Sequence, residues 1–551
     1  MKNVKNSSHI QKILLIITTI LLTVLVIFPV LTLLTKAFTD RDGGFAGIAN
    51  FVKYFTTPNL TNSLTNTLFI SAMTTIIAVI LAFIYAYALT RTGVKFKGFF
   101  RFTSMLPIFA PTMMLGIGLI YLFGNKGIFT MMGFDIPLYG SLGIIISEVI
   151  YVFPQAVLIL LVSFSYADNR LYEAAEVMGT SAIKIFLTVT VPGVKYGLIS
   201  SVFIAFTLSF TDFGAPKVVG GNYNVLATDI YKQVVGQQNF TMGAVVGTIL
   251  MIPAILSFIV DRMTQTKNQG TVSSKSVSFR IKPDRKRDFF FTSWCVVINI
   301  GIMLVIGSVV FASLIKLWPY DLSFTLEHYL TDSPSTGGIS SYFNSITVAL
   351  LTAVIGSVFV FVNAYLIEKS RKAKALRQGG YFLSLIPLAF PGLAIGISFI
   401  FFFNMEGNPL NFIYGTMWIL IFANLVHFYS VPFVTVTSSL KKLDKEFETV
   451  SESMSVPFYK TFFRVTVPMC LPAIFEVFVY FFVNSMVTVS AVVFLYPADF
   501  KLAAIAIVNM EDVGNIAPAA ALSVLIILTN VALRLIYEFV NRRIKRKRLS
   551  L

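Results

Sequence analysis

Twelve apolar runs, each long enough to cross a lipid bilayer, constrain the fold of this chain more than any other feature of its sequence. About 20 helical residues cross a hydrocarbon core of about 30 Å. The runs lie near residues 13–37, 64–90, 104–124, 139–165, 194–215, 241–262, 290–315, 343–367, 382–403, 416–438, 472–495 and 516–540. Most are continuously apolar and lack the alternation of barrel strands. The sequence therefore predicts an all-α integral membrane protein with about twelve transmembrane helices.

Composition and cysteine usage agree with this class. Of the 551 residues, 56% are hydrophobic and 13% are charged, against about 45–50% and about 25% in soluble domains. The first run is longer than the apolar core of a secretion signal, and no small-residue cleavage site follows Phe38, so we expect a retained first span. Cys295 and Cys470 belong to no spaced metal-ligand or redox motif, and we expect no metal site.

The basic residues are concentrated on one side of the predicted membrane. If the N-terminus is cytoplasmic, the inner segments hold 34 of the 43 Lys and Arg residues, and only eight lie in or beside outer loops. This positive-inside pattern predicts a multi-pass protein of the plasma or inner membrane with both termini in the cytoplasm. Orientation and anionic inner-leaflet lipid account for the net charge of +17. We therefore expect the lipid bilayer, and no nucleic acid, as a partner.

The chain repeats itself across a basic segment. NSLTNTLFIS from Asn62 matches NSITVALLTA from Asn344 at a shift of 282, and FLTVTVP matches FFRVTVP at a shift of 276. The third and ninth runs match at a shift of 280, with Pro107, Pro111 and Gly116 over Pro387, Pro391 and Gly396. Similar apolar composition alone does not place two prolines at equal depth in both halves. We predict two parallel six-span repeats, 1–262 and 289–551, joined by a cytoplasmic linker over 263–288, with a pathway between them.

One inner loop, from Leu171 to Pro192, has the composition of a helix on the surface of a soluble protein. Its sequence is LYEAAEVMGTSAIKIFLTVTVP. Glu173 and Glu176 share one helical face, and Ala174 and Ala175 allow close approach of another surface. Gly179 can end the helix in a left-handed conformation, and Ser181 can cap a second helix that runs toward Pro192. The alternative is a connector helix in the lipid interface, which would need a broad apolar face. The small and acidic residues favour a protein partner.

This loop resembles the EAA loop of permease subunits of type I ATP-binding-cassette importers, and Glu173, Ala174, Ala175 and Gly179 match its pattern. The fused two-copy arrangement resembles the ferric-iron, 2-aminoethylphosphonate and thiamine permeases over nearly the whole chain. The resemblance implies the type I importer permease fold and a coupling helix, with Glu176 on the same face, that docks on an ATPase. It also implies two copies of that ATPase and an external solute-binding protein as partners.

The second copy of the loop departs from the pattern. In TVSESMSVPFYKTFFRVTVP, Thr449 replaces the first Glu and Ser455 replaces the Gly, whereas Glu452 and Met454 keep register with Glu176 and Met178. We expect this helix to dock as well, with altered detail. Whether both halves couple equally stays open at this point.

The expected function is that of a permease subunit without enzyme activity. Because the chain has no GxxxxGK[ST] loop, ATP and Mg belong to the partner ATPase and this chain binds no cofactor. Resemblance favours a small polar solute or ion, with ferric iron and 2-aminoethylphosphonate ahead of thiamine. The alternative is a twelve-span secondary transporter, which would favour several ionisable residues deep in the bundle. A membrane enzyme would need a cluster of catalytic side chains that the sequence does not contain.

Ionisable and helix-breaking residues inside the spans are the pathway candidates. Asp212 in TDFGAP is the first, with Val489 opposite it in the second half; capping a helix or pairing with Lys217 is the alternative. The Pro and Gly residues of the third and ninth runs are expected to kink those helices and line the pathway: Pro107, Pro111, Gly116, Pro387, Pro391 and Gly396. For Glu148, Glu476 and His427 we favour structural roles.

Overall fold

The computed structural model describes residues 2–40, 43–166, 168–268, 279–370, 373–444 and 446–549. The first half contains helices α1 (Lys2–Leu22), α2 (Phe28–Ala37), α3 (Ala49–Thr56), α4 (Pro58–Arg91), α5 (Lys97–Ser104), α6 (Thr112–Phe123), α7 (Ile128–Met131), α8 (Ser141–Ser165), α9 (Asn169–Val177), α10 (Ala182–Ile185), α11 (Val191–Thr211), α12 (Gly214–Val219), α13 (Leu226–Tyr231) and α14 (Phe240–Asn268). Short π-helical segments, Thr23–Ile27 and Phe186–Thr190, join α1 to α2 and α10 to α11.

The second half contains α15 (Arg285–Leu314), α16 (Ile339–Lys369), α17 (Lys374–Leu385), α18 (Gly392–Phe403), α19 (Met417–Phe428), α20 (Ser430–Lys441), α21 (Glu446–Ser453), α22 (Phe458–Thr461), α23 (Val467–Val487), α24 (Ala503–Asp512) and α25 (Ile516–Leu549). Between α15 and α16 lie two small antiparallel pairs, β1 (Ile315–Leu317) with β2 (Asp321–Phe324) and β3 (Asp332–Ser333) with β4 (Gly337–Gly338). The π-helical segment Phe462–Thr466 joins α22 to α23.

Helices that can cross a membrane dominate the described part of the chain. Ten are long and apolar enough to do so, and the number rises to twelve if each of two bent pairs is one span. The bent pairs are Lys374–Ala389 with Gly392–Phe403, at 111°, and Met417–Phe428 with Ser430–Lys441, at 56°. The prediction of an all-α membrane protein with about twelve spans is confirmed.

The prolines of the third and ninth runs break their helices, where the sequence led us to expect kinks. Pro107 lies in a 3₁₀ turn, Leu106–Phe109. Ala110, the residue after this turn, has an extended backbone with φ −106° and ψ 145°. Pro111 is the N-cap residue of α6. In the second half Pro387 lies in the matching turn, Ile386–Ala389, and Pro391 directly precedes α18. A residue before proline is driven out of the helical region, so a second proline four residues later completes the break.

Hydrogen bonds correct the alignment of the two halves in the second span. The Asn66 side chain donates to the carbonyl of Asn224 at 2.9 Å, and Asn344 donates to Lys501 at 3.1 Å. The hydroxyl of the next residue in each half also accepts a backbone N–H. Thr67 accepts that of Leu226 at 2.9 Å, and Ser345 accepts that of Ala503 at 2.7 Å. The shift is therefore 278, and the sequence match at 282 was wrong by one helical turn. Positions one turn apart share a helix face, so apolar similarity alone does not separate the two registers.

Each half contributes its first span to the other half. α2 packs against α18, and α1 packs against α16 and α17, whereas α15 packs against α4, α5 and α6. Most of the buried apolar side chains therefore form one core that includes residues of both halves. The boundaries 1–262, 263–288 and 289–551 stay predictions, and residues 269–278 of the linker lie outside the described residues.

Candidate functional site

The acidic segment forms a short helix, α9, whose two faces differ. Asp168 caps it by accepting the backbone N–H of Arg170 at 3.1 Å. Tyr172 and Ala175 are buried against the chain's own body at 9% and 5% exposure. Glu173, Ala174 and Glu176 are exposed. Of the two alanines expected at a partner surface, only Ala174 is therefore available.

The end of α9 has the predicted geometry. Gly179 adopts φ +67°, and the N–H of Thr180 donates to the carbonyl of Ala175 at 3.0 Å, closing a left-handed helix end. In the second half Ser455 adopts φ +57°, with Val456 donating to Ser451 at 2.9 Å. The loss of glycine has therefore left the shape of the second loop unchanged, at the cost of a left-handed serine.

The exposed apolar tips of the two loops correspond closely. Met178 is 75% exposed and Met454, at the matching position, is 71% exposed. Glu176 pairs with Lys282 of the linker segment, and both side chains remain accessible. The side chain of Glu452 lies outside the described residues. Six spans separate α9 from α21, so both helices lie on one face of the membrane.

A long helix connects each loop with the opposite face. α10, the π-helical segment and α11 run together as one 30-residue helix, Ala182–Thr211, and Phe458–Val487 is its 30-residue counterpart. Such a helix is about 45 Å long. Ser181 occupies the cap position of the first of these helices, but its side chain makes no cap bond, so the predicted side-chain cap is wrong. The long helix therefore joins the α9 loop to the residue that follows Thr211.

That residue is Asp212, which caps α12. Its carboxylate accepts the backbone N–H of Ala215 at 2.9 Å. Lys217 pairs with Asp512 of the second half at 2.5 Å, and not with Asp212. Asp212 therefore caps a helix and does not pair with Lys217, and its role in a pathway stays a prediction.

The residue opposite Asp212 in the second half is Thr488, one position before the Val489 that the sequence suggested. Asp212 ends its long helix with φ −69° and ψ 138°, and Thr488 ends the counterpart with φ −74° and ψ 139°. The expected asymmetry of charge at this depth remains, since threonine is uncharged.

Gly116 and Gly396 mark equivalent close contacts. A Cβ atom on Gly116 would lie 2.9 Å from Val218 Cγ1, and one on Gly396 would lie 2.9 Å from the carbonyl of Ala491. Each glycine thus allows α6 or α18 to pack against the segment that follows the long helix of its half. Whether these residues, and the prolines before them, line a pathway stays a prediction.

The other ionisable residues of the spans have different environments. Glu148 is 1% exposed and accepts hydrogen bonds from Thr74, at 3.4 Å, and from Ser209. His427 packs against Phe428 at 4.4 Å between ring centroids, and its Nδ1 has no hydrogen-bond partner among the described residues. Glu476 is exposed. Among the described residues no cation pairs with Glu148 and its Oε1 has no hydrogen-bond partner, so the expected pairing is absent, and His427 lacks the expected bond at Nδ1.

Sequence reasoning missed the contacts of the linker with α9. The Phe279 ring meets Tyr172 edge-on at 4.9 Å, and the N–H of Arg280 donates to the Asn169 side chain at 3.1 Å. Asp288 accepts the N–H of Gly93 at 2.9 Å. The aromatic ring among basic residues was the only signal in the sequence.

Comparison with known proteins identifies the family. Residues 78–267 and 364–546 each match the family described as "Binding-protein-dependent transport system inner membrane component". The ferric transport system permease protein FbpB of Actinobacillus pleuropneumoniae is 28% identical over 475 residues, which are 83% of this chain and 68% of that protein. The Fe(3+)-transport system permease protein FbpB 2 of Haemophilus influenzae is 23% identical over 80% of this chain and 83% of its own length.

Shorter similarity extends to phosphonate permeases. A putative 2-aminoethylphosphonate transport system permease protein, PhnV, of Salmonella typhimurium is 27% identical over 182 residues, which are 32% of this chain and 68% of that protein. The two family matches together cover more than half of the chain, one in each half. The chain therefore belongs to the family of binding-protein-dependent transport system inner membrane components, as a permease that carries two fused copies of the family's domain.

Proposed function

We propose that this chain is the whole membrane pathway of an ATP-driven importer, with one ATPase copy docked on α9 and a second on α21. An external solute-binding protein delivers the solute at the other face. The chain hydrolyses nothing and binds no cofactor; ATP and Mg act in the ATPase. The 34-to-8 distribution of basic residues supports an orientation with both termini, α9 and α21 in the cytoplasm.

One observation carries the proposal: the exposed tips of α9 and α21 match in shape on one membrane face. Met178 and Met454 present large apolar side chains at 75% and 71% exposure, and each tip ends in a left-handed residue. Large exposed apolar side chains at a defined tip are typical of a protein-binding surface. Two equivalent sites fit two copies of one partner.

The long helices supply the mechanism. If ATP closes the two ATPase copies, α9 and α21 approach each other, and the helices Ala182–Thr211 and Phe458–Val487 tilt with them. The opposite ends of these helices carry Asp212 and Thr488, so the tilt moves the segments that pack against Gly116 and Gly396. Access then alternates between the two faces.

Ferric iron is the substrate that we propose first. The relatives named for ferric transport match up to 83% of this chain, whereas the 2-aminoethylphosphonate permease matches 32%. In such a system the binding protein largely sets selectivity. Measuring the affinity of the cognate binding protein for ferric iron and for 2-aminoethylphosphonate will show which of the two is the substrate.

The coupling sites are tested by a charge reversal on α9. Glu173→Arg combined with Gly179→Arg places two bulky cations on the docking surface, and Gly179 has a left-handed backbone that disfavours any side chain. We expect loss of uptake and of binding-protein-stimulated ATP hydrolysis in proteoliposomes, with normal amounts of permease in the membrane. The matched control is Gly98→Arg, at an exposed position of α5 outside both loops, where a Cβ atom meets no atom within 4 Å. Full activity of the double variant would contradict docking at α9, and proton-driven uptake without an ATPase would favour a secondary transporter.

A further inference from the structure

Neither α9 nor α21 is long enough to hold its own position. They span nine and eight residues, and isolated helices of this length are unstable in water. Their orientation is therefore set by contacts with the spans. A helix that passes on the motion of an ATPase needs a firm contact of this kind.

In the first half the contact is a cation among aromatic rings. Arg91, the last residue of α4, is 4% exposed and donates to the carbonyl of Phe164 at 2.8 Å. Its guanidinium carbon lies 5.6 Å from the centroid of the Tyr172 ring on α9 and 4.3 Å from that of Phe279 in the linker segment. No carboxylate of the described residues pairs with it. The rings therefore provide much of the stabilisation of a buried charge.

In the second half the contact is an ion pair. Lys369, the last residue of α16, lies 3.2 Å from Glu448 on α21. The two side chains are only 5% and 14% exposed. Lys369 also donates to the carbonyl of Leu443 at 3.3 Å. A buried pair of this kind is strongly sensitive to removal of one partner.

The two contacts occupy the same positions of the repeat. Arg91 and Lys369 are 278 residues apart, the shift that the hydrogen bonds of the second span establish. Tyr172 and Glu448 are 276 residues apart. The same shift relates the two π-helical segments, and it relates Asp168 to Asp444, which accepts the N–H of Glu446 as Asp168 accepts that of Arg170. A basic residue at the end of the second span thus holds each short helix by different chemistry.

We propose that Arg91–Tyr172 and Lys369–Glu448 are equivalent positioning pairs that transmit the movement of each docking helix to the second span of its half. Phe279 completes the first pair, which gives the linker a role beyond joining the halves. The hydroxyl of Tyr172 also donates to Thr190 at 3.2 Å, at the base of the long helix, so movement of α9 reaches two spans together. This inference rests on the proposed function, since it assumes an ATPase docked on both helices.

The test exchanges the chemistry of the first pair for that of the second. Tyr172→Leu keeps an apolar side chain but removes the ring, whereas Tyr172→Glu gives Arg91 an acidic partner like that of Lys369. The assay measures binding-protein-stimulated ATP hydrolysis in proteoliposomes and the amount of ATPase that co-purifies with the permease. Tyr172→Leu and Phe279→Leu should lower stimulation about fivefold, with co-purification unchanged. Tyr172→Glu should stay within about twofold of wild type.

Two further variants complete the design. Arg280→Ala is the matched control, because Arg280 contacts α9 through its backbone N–H and stimulation should stay at the wild-type level. Tyr172→Glu alone should retain stimulated ATP hydrolysis, and the double variant Tyr172→Glu with Arg91→Met should lose it, because the introduced carboxylate then has no cationic partner. The inference is overturned if Tyr172→Leu keeps full stimulation, or if Tyr172→Glu loses as much as Tyr172→Leu. Failure of the proposed function is distinguishable, since wild-type permease would then retain no ATPase at all.

Discussion

The left-handed residue at the end of each docking helix allows a paired experiment. Ser455 adopts φ +57° where the first half has Gly179 at φ +67°. The left-handed region costs a residue with a side chain roughly 1–2 kcal/mol. Glycine has more backbone conformational entropy than serine when the loop is locally unfolded, and this offsets about 0.4–1 kcal/mol of that cost. Ser455→Gly should therefore stabilise the end of α21 by about 1 kcal/mol, and Gly179→Ser should destabilise the end of α9 by a similar amount.

Amide hydrogen exchange measures this local change. A difference of about 1 kcal/mol alters the local opening constant about fivefold. Peptides that cover 446–456 should exchange more slowly in Ser455→Gly, and those that cover 169–180 should exchange faster in Gly179→Ser. The unchanged loop within each variant serves as its control. Slower exchange in both variants, or no change in either, would refute the reasoning from backbone conformation.

Three further predictions concern packing, hydrogen bonding and pH. Gly118→Ala places a Cβ atom 2.5 Å from a carbonyl of α15 and should cost about 1–3 kcal/mol of stability, seen as a lower melting temperature, whereas Gly98→Ala meets no atom within 4 Å and should not. Thr67→Val removes the acceptor of a buried N–H and should cost about 1–3 kcal/mol, unlike Thr65→Val at an exposed position. Burial raises the pKa of Glu511 to about 7 from 4.5, despite the opposing charge of Lys217, so its contribution to stability is full below pH 4.5 and is lost as pH rises through 7. Glu511→Gln should flatten the melting temperature between these values, and an unchanged pH profile would contradict this account.

Most of the architecture could be predicted from the sequence because its signals are strong and local. Long apolar runs predict spans, and the basic loops predict their orientation. The left-handed end at Gly179 follows from glycine chemistry. The break at Pro111 was expected only as a kink, because the combined effect of two prolines four residues apart depends on the turn between them.

The contacts that hold the docking helices could not be predicted in the same way. Arg91 reads as an ordinary basic residue at the inner end of a span, and nothing in its neighbours along the chain indicates the ring of Phe279. The register of the second spans was missed by one turn, so Arg91 was not aligned with Lys369. Only the long-range hydrogen bonds of Asn66 and Asn344 fix that register.

Site-specific cross-linking at the tips of α9 and α21 tests the central claim most directly. A photoreactive residue at Met178, or at the matching Met454, lies in the most exposed part of each loop. The control is a third probe at Tyr320, which is 72% exposed. Tyr320 follows α15, so one span separates it from the linker and it lies on the opposite face of the membrane. We predict cross-links to the ATPase from both methionine positions and none from Tyr320. Absence of ATPase cross-links from both tips, or equal yield from the control position, would contradict the account.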